Sequence, residues 1–355
     1  MFLAAPGFTL IDGAQGQPDA APAGPIVDVT TWGARGVIAA LLSGQTAYLL
    51  RDPSAPPQVI DPAPGIWLQT SGTTGQPKWI RHDLAGLTAK IVAGKGDPAR
   101  WLLTFNPGSF AGLQVILSAM IGGQTLIAPP VGADIADMAN LAVAQNATHI
   151  SGTPTFWRAF LMALGDQPLD LKSATLGGEA PDQGILDALH TRFPNARLRH
   201  IYATTEAGAV FSVGDGRAGF PRAWLNSDLS TSAHDTLMVK GLDTGDVVAL
   251  TDDRVLFQGR LDAMVNIGGV KVYPETVESH LLQLPFIQDV RITPKPSPIT
   301  GHILVAEIVL KPFSGDAAAQ IKAHMAALPR AARPAALRFV DSLAIGATGK
   351  KLRSA

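Results

Sequence analysis

The chain has 355 residues, 46% hydrophobic and 16% charged, with a formal net charge of −1. It is too long for one ordinary core and too apolar for a disordered chain, so a large and a small folded domain are expected. A near-neutral balance argues against a nucleic-acid or anionic-membrane binder, and the lack of cysteine excludes disulfides, thiol nucleophiles and thiolate metal sites while fitting a reducing cytoplasm.

No targeting segment stands out at the start. Met1-Phe-Leu-Ala-Ala5 lacks a basic region and runs at once into Pro6-Gly7. The most apolar stretch, Phe110 to Ile127, is interrupted by Gln114, Gly122, Gly123 and Gln124. It reads as a buried helix followed by a core strand, not as a membrane span. The expectation is a soluble, cytoplasmic protein with neither membrane nor nucleic acid as partner.

In chain order, residues 13–25 are rich in Gly, Pro, Ala and Gln and read as a surface loop. Val27 to Thr30 reads as a short strand, and Trp32 to Leu42 as a helix capped by Thr30 or Thr31. Ala47-Tyr-Leu-Leu50 reads as a buried strand, as does Trp101-Leu-Leu-Thr-Phe105. Helices are expected at Ile135–Ala144, around Thr155–Leu164 and at Pro181–Arg192. Strands are expected at His149–Ser151, at Ala174–Leu176 before a Gly-Gly pair, and at Leu198–Ala203. This alternation predicts an α/β fold: a large N-terminal domain, residues 1–261, with mostly parallel sheets flanked by helices. Ligands in such sheets sit at the carboxyl ends of the strands.

Beyond residue 262 the texture changes. A helix with proline in its first turn is expected at Pro274–Leu282, then strands near Ile287–Ile292 and His302–Leu310. A helix at Asp316–Leu328 and a strand at Leu337–Val340 complete a small α+β domain, residues 262–355. The tail from Gly346 reads as a mobile loop.

The run Leu68-Gln-Thr-Ser-Gly-Thr-Thr-Gly-Gln-Pro-Lys78 carries the most information. Glycines allow backbone N–H groups to turn toward an anion, hydroxyls add donors, and lysine adds a full charge. Thr70, Ser71, Gly72, Thr73, Thr74, Gly75 and Lys78 therefore form a candidate polyphosphate cradle. It is not the Walker sequence. Four further stretches stand out. In Thr175-Leu-Gly-Gly-Glu-Ala-Pro181 a strand ends in paired glycines, as at a plain strand-to-helix turn or a close approach to a flat ring. His200-Ile-Tyr-Ala-Thr-Thr-Glu206 offers one carboxylate after a strand. Asp243-Thr-Gly-Asp246, with Val255 to Asp262, reads as a hairpin carrying Asp246 and Arg260. Asn266-Ile-Gly-Gly-Val-Lys271 is a glycine turn before a helix. The tail Ala347-Thr-Gly-Lys350-Lys-Leu-Arg353 is basic, with Lys351 leaving the register open by one residue.

Gly214-Asp-Gly-Arg-Ala-Gly219 fits G-x-G-x-x-G, but Phe220-Pro follows where a dinucleotide fingerprint needs a helix. His82, His149 and His200 read as strand-end or core residues, not as metal ligands. Phe110, Trp79, Phe156 and Trp157 suit either an apolar pocket or the core.

Taken together and in order, these stretches resemble the acyl-adenylate-forming superfamily of acyl- and aryl-CoA synthetases, peptide-synthetase adenylation domains and luciferases. The resemblance is nearest to small CoA ligases of the o-succinylbenzoate type and spans residues 68 to 353. The family usually has a longer segment before the phosphate loop, so a shortened N-terminus is expected. The usual glycine of the Tyr-Gly-x-Thr-Glu signature is Ala203 here, Asn266 stands where lysine is common, and Ser109 stands where CoA ligases often have histidine.

The resemblance implies ATP, Mg²⁺ and CoA. Gly178, Glu179 and Ala180 would lie against adenine and the acyl pocket. Tyr202 would stack on adenine, Thr205 would contact phosphate, and Glu206 would bind Mg²⁺. Asp246 and Arg260 would hold the ribose, and Asp262 would be the hinge. Gly268 and Gly269 would line the thiol tunnel, and Lys350 would bridge the reacting carboxylate and α-phosphate. The substrate would be a small carboxylic acid, an aromatic one being compatible, and a homodimer is also compatible. A carrier-protein thiol as acceptor, or a non-catalytic nucleotide-binding homologue, remains open.

Overall fold

A computed structural model describes residues 4–13, 22, 24–70, 78–89, 91, 98–204 and 208–344. These residues divide into two compact units. One runs to Gly178 and resumes over His190–Ser212, and the other holds Glu179–Leu189 and the residues from Val213. The architecture is α/β, with mostly parallel sheets and helices in the first part and a smaller α+β segment toward the C-terminus.

In the first unit a seven-stranded sheet has the order Thr9–Asp12, Thr125–Ala128, Arg100–Leu102, His149–Gly152, Ser173–Gly177, Arg197–Thr204 and Gly208–Val213. The first six strands pair in parallel. Parallel neighbours need long crossovers, and the helices Phe110–Gly122, Ile135–Ala144 and Pro154–Leu164 fall between successive strands to supply them. Ser109, Asp134 and Thr153 start these helices: each side chain accepts the N–H of the residue three further on.

A second sheet has the order Ile26–Asp28, Ala47–Leu50, Ile66–Thr70 and Lys78–His82. Its first three strands are parallel and the last is antiparallel. One core cluster joins Val37 and Leu41 of the helix Val29–Ser43 to Leu49, Leu68, Ile116 and Met120. Each such aliphatic side chain contributes about 1.5–3 kcal/mol by leaving water.

The second unit contains an antiparallel sheet in the order Phe220–Pro221, Arg254–Arg260, Leu242–Leu250, Thr236–Val239 and Leu229–Thr231. Beyond it, Ile287–Ser297 pairs antiparallel with Gly301–Leu310, which pairs in parallel with Ala336–Phe339. The helices Pro274–Leu281 and Ala317–Met325 share a core with these strands through Val277, Leu281, Val290, Ile308 and Ile321.

Local departures from the sequence reading have clear causes. The cap of the first helix is Asp28, not Thr30 or Thr31. Its carboxylate accepts Thr30 N–H at 2.9 Å and the hydroxyls of Thr30 and Thr31 at 2.7 and 3.1 Å, so strand gives way to helix at Val29. That helix is also broken at Gly33, where φ is 54° and ψ is −146°. The strand expected to reach Phe105 ends at Leu102, because Thr104 donates its hydroxyl to the Ser151 carbonyl instead of continuing the ladder. The helix expected from Pro181 begins at Gln183, with the Asp182 carboxylate accepting Ile185 N–H at 3.2 Å.

Candidate active site

The cradle sequence falls between two paired strands of the first unit. Thr70 is the register partner of Lys78, so residues 71–77 connect the two arms of a hairpin. Ser71, Gly72, Thr73, Thr74 and Gly75 lie outside the described residues. The hairpin arms are stiffened by aromatics: Trp67 stacks on Tyr48 at 5.1 Å, and Trp79 meets Tyr48 edge-on at 5.3 Å.

Gln69, next to the last residue of the strand Ile66–Thr70, is only 3% exposed. Its Oε1 accepts the N–H groups of Arg51 and Asp52, both at 2.9 Å, and its Nε2 donates to Ala55 O at 3.0 Å. Arg51 Nη2 in turn donates to the Gln69 carbonyl. Sequence reasoning missed this pair. The available signal was an amide set between Leu68 and Thr70 in a buried strand, where a polar group needs partners.

Ser109 is tied to its own loop. Its hydroxyl donates to Asn106 O at 2.7 Å and accepts Gly112 N–H at 3.0 Å, so it serves as a helix cap. A Cβ on Gly112 would stand 2.1 Å from Asn106 O, which forces glycine there. Phe110 begins the helix and its ring lies 5.8 Å from that of His82. Phe156 and Trp157 are core residues, 3% and 0% exposed, with Trp157 Nε1 donating to Thr175 O at 2.9 Å.

At the carboxyl end of Ser173–Gly177, Gly178 takes φ of 80° and turns the chain, and Glu179 and Ala180 lead on toward Gln183. Tyr202 sits on the strand Arg197–Thr204 with its ring stacked on Phe211 at 5.2 Å. Thr205 and Glu206 lie outside the described residues, as does Lys350. The His149 ring lies 4.8 Å from that of Trp101, tilted by 46°, and His200 is buried in its strand. Burial, helped by the charge of Arg199, pushes the His149 pKa down to about 4.

In the second unit the structure brings three of the expected residues together. Asp246 and Arg260 are register partners across the hairpin. Arg260 Nη1 approaches Asp246 Oδ1 at 3.4 Å and donates to Thr244 O at 3.0 Å, while its Nε and Nη2 face the two oxygens of Asp262 at 3.2 and 3.5 Å. Burial pulls the arginine pKa down, but the hydrogen bond to Asp262 and the charge of Asp246 outweigh it and hold the group above its usual value. The neighbouring Asp243 is structural: it accepts Thr236 Oγ1 at 2.9 Å and Gly245 N–H at 2.8 Å. Gly245 has φ of 72°, and a Cβ there would lie 3.1 Å from Arg260 Nη2.

Gly268 and Gly269 form the two-residue turn between Val265–Ile267 and Val270–Val272, with φ of 57° and 89°. Both angles are left-handed, as a type I′ hairpin requires. Asn266 Oδ1 accepts Gly269 N–H at 2.9 Å and Gly268 N–H donates to Thr300 O at 2.9 Å. The other glycine-rich stretch, Gly214 to Gly219, is clamped by Arg254, which is 4% exposed. Arg254 bonds Asp215 Oδ2 at 2.5 Å and donates to the carbonyls of Arg217, Ala218 and Gly219, each at 2.9 Å through Nη2. Those glycines shape a turn around a guanidinium.

Among the described residues, no group of three or more His, Asp or Glu is placed to hold a metal ion, and no helix is long and apolar enough to cross a membrane.

Residues 20–252 match the AMP-binding enzyme family, and residues 276–350 match the AMP-binding enzyme C-terminal domain. The chain belongs to the AMP-binding enzyme family, the adenylate-forming ligases. Among curated relatives, the probable 2-succinylbenzoate–CoA ligase of Mycobacterium tuberculosis is 28% identical over 328 residues, covering 83% of this chain and 84% of that protein. The isonitrile lipopeptide synthase of Streptomyces coeruleorubidus is also 28% identical, over 81% of this chain but 23% of that protein. The fold matches o-succinylbenzoate CoA synthetase (MenE) from Bacillus subtilis in complex with OSB-AMP, with a TM-score of 0.57 at 20% identity over 81% of this chain and 68% of that one. It likewise matches the anthranilate CoA ligase AuaEII in complex with anthranoyl-AMP, with a TM-score of 0.58 at 21% identity, covering 83% and 68%.

Proposed function

We propose that this protein is an ATP-dependent carboxylate–CoA ligase acting on a small, aromatic carboxylic acid. The observation that carries the reading is the Asp246–Arg260 pair, set across a hairpin whose first strand, Leu242–Leu250, lies inside the family match, with the carboxylate held near a fixed fork of donors. A carboxylate can accept from both ribose hydroxyls, and the guanidinium across the strand pair orients it. The aromatic acid follows the named substrates of the 2-succinylbenzoate and anthranilate ligases.

In the first step a carboxylate oxygen attacks the α-phosphorus of ATP and pyrophosphate leaves. Thr70, Ser71, Gly72, Thr73, Thr74, Gly75 and Lys78 hold the phosphates, Thr205 contacts the α-phosphate, and Tyr202 with Gly178, Glu179 and Ala180 frames the adenine. Lys350 neutralises charge between the reacting groups. Glu206 would hold Mg²⁺, which needs only one or two carboxylates beside phosphate oxygens and water and would offset the pyrophosphate charge. In the second step the CoA sulfur attacks the acyl carbon, the acyl–phosphate bond breaks, AMP leaves and the thiol proton passes to solvent. Residues 262–355 act as a domain turning about Asp262, which withdraws Lys350 and brings up the Gly268-Gly269 turn.

The test is acid-dependent ATP–pyrophosphate exchange over a panel of aryl, short-chain and medium-chain acids, with Lys350→Ala as control. Exchange with an aryl acid that the variant loses is expected. No exchange with any acid would overturn the ligase reading. A second reading, transfer to a carrier-protein thiol, is favoured by the match to part of isonitrile lipopeptide synthase. It predicts exchange without thioester formation on free CoA.

A further inference from the structure

Arg51 follows the buried strand Ala47–Leu50, which runs parallel to Ile66–Thr70. Its main chain is locked by Gln69, and its Nη2 donates to the carbonyl of that same residue. On the far side, Gly108 would bring a Cβ within 3.0 Å of Arg51 Cγ, so the side chain is wedged between the hairpin root and the loop before Ser109. The Nε is buried without a hydrogen-bond partner. Among the described residues, Nη1 has none either, and no carboxylate pairs with the group. The adjacent Asp52 is spent locally: its Oδ1 accepts Ser54 N–H at 3.0 Å and Ser54 Oγ at 2.6 Å. Burial holds the Arg51 pKa below the usual arginine value with no charge to offset it.

A guanidinium stays charged in proteins, and a half-buried cation with no counter-charge is costly unless an anion joins it. The strand Ile66–Thr70 therefore carries a cation on each side of its end. Lys78 faces Thr70 across the antiparallel pair, and Arg51 holds Gln69 from the parallel neighbour. We propose that Arg51 is a second cation of the polyphosphate site, binding the terminal phosphates of the nucleotide through its free Nε and Nη1 donors. This rests on the adenylation reading of the hairpin. Arginine suits the task because its planar fork meets phosphate oxygens in pairs, which the ammonium of Lys78 does not.

The test compares ATP and AMP binding by calorimetry in wild type, Arg51→Met and Arg51→Lys. The Met variant should weaken ATP about tenfold or more and leave AMP within about twofold, with partial recovery in the Lys variant. Equal weakening of ATP and AMP, or none, overturns the proposal and leaves Arg51 as an anchor of the hairpin. Wild type that binds neither nucleotide overturns the adenylation reading together with this one. If the variants do not fold, phenylglyoxal labelling of the wild type, read by mass spectrometry, replaces them. Pyrophosphate should protect Arg51, and labelling at an unchanged rate overturns the proposal.

Discussion

Arg260 faces both oxygens of Asp262 with Nε and Nη2 while its Nη1 reaches across the strand pair to Asp246, so one guanidinium ties the ribose candidate to the hinge candidate. Arg260 is 45% exposed on its side chain and Asp246 is 20% exposed. Such exposed pairs add little to folding, on the order of 0–1 kcal/mol. Asp246→Asn should therefore leave the urea midpoint nearly unchanged while raising the KM for ATP in pyrophosphate exchange by about tenfold or more. A large loss of stability with unchanged KM would assign the pair to the fold alone.

Gly269 offers a way to separate the two half-reactions. A Cβ there meets nothing within 4 Å, but φ of 89° is unfavourable for alanine. Gly269→Ala should cost about 1–2 kcal/mol in local strain. Pyrophosphate exchange should persist, and CoA thioester formation should fall several-fold in a coupled assay. Equal loss in both steps would remove the turn from the thiol path.

Arg254 should behave as a structural residue. Its removal leaves three carbonyls and Asp215 without their donor. Arg254→Met should destabilise by about 3 kcal/mol in urea unfolding. Arg254→Lys should recover little, because an ammonium cannot span that fan of acceptors.

His149 sets an acid limit on stability. Its folded pKa, about 4, lies below the ordinary 6.5, so the unfolded chain binds the extra proton first as pH falls. Stability from this group is therefore complete above about pH 6.5 and is lost down to about pH 4, at up to about 1.4 kcal/mol per pH unit. His149→Gln should flatten the dependence of the unfolding midpoint between pH 6.5 and 4. An unchanged slope would assign the acid sensitivity to other groups.

Several features were legible in the sequence because they are local. Periodicity marked the helix Ile135–Ala144 to the residue, and the apolar run with its glycine pair marked Phe110–Gly122 followed by Thr125–Ala128. Thr-Asp-Asp between two apolar runs marked the hairpin that puts Asp246 opposite Arg260. The absence of a helix after Gly219 argued against the dinucleotide motif, and Phe220–Pro221 is a strand. Motif order alone indicated the family that the profile match shows.

Tertiary structure decided what depends on distant partners. Burial against Trp101 and Arg199 set the His149 pKa, although residues fifty apart in sequence carry no mark of it. The clamp of Arg254 on the 214–219 turn and the lock of Gln69 on Arg51 join segments 17 to 39 residues apart. Local propensity can name an element, but only the folded chain brings a donor to its acceptor and leaves Arg51 a charge without a partner among the described residues.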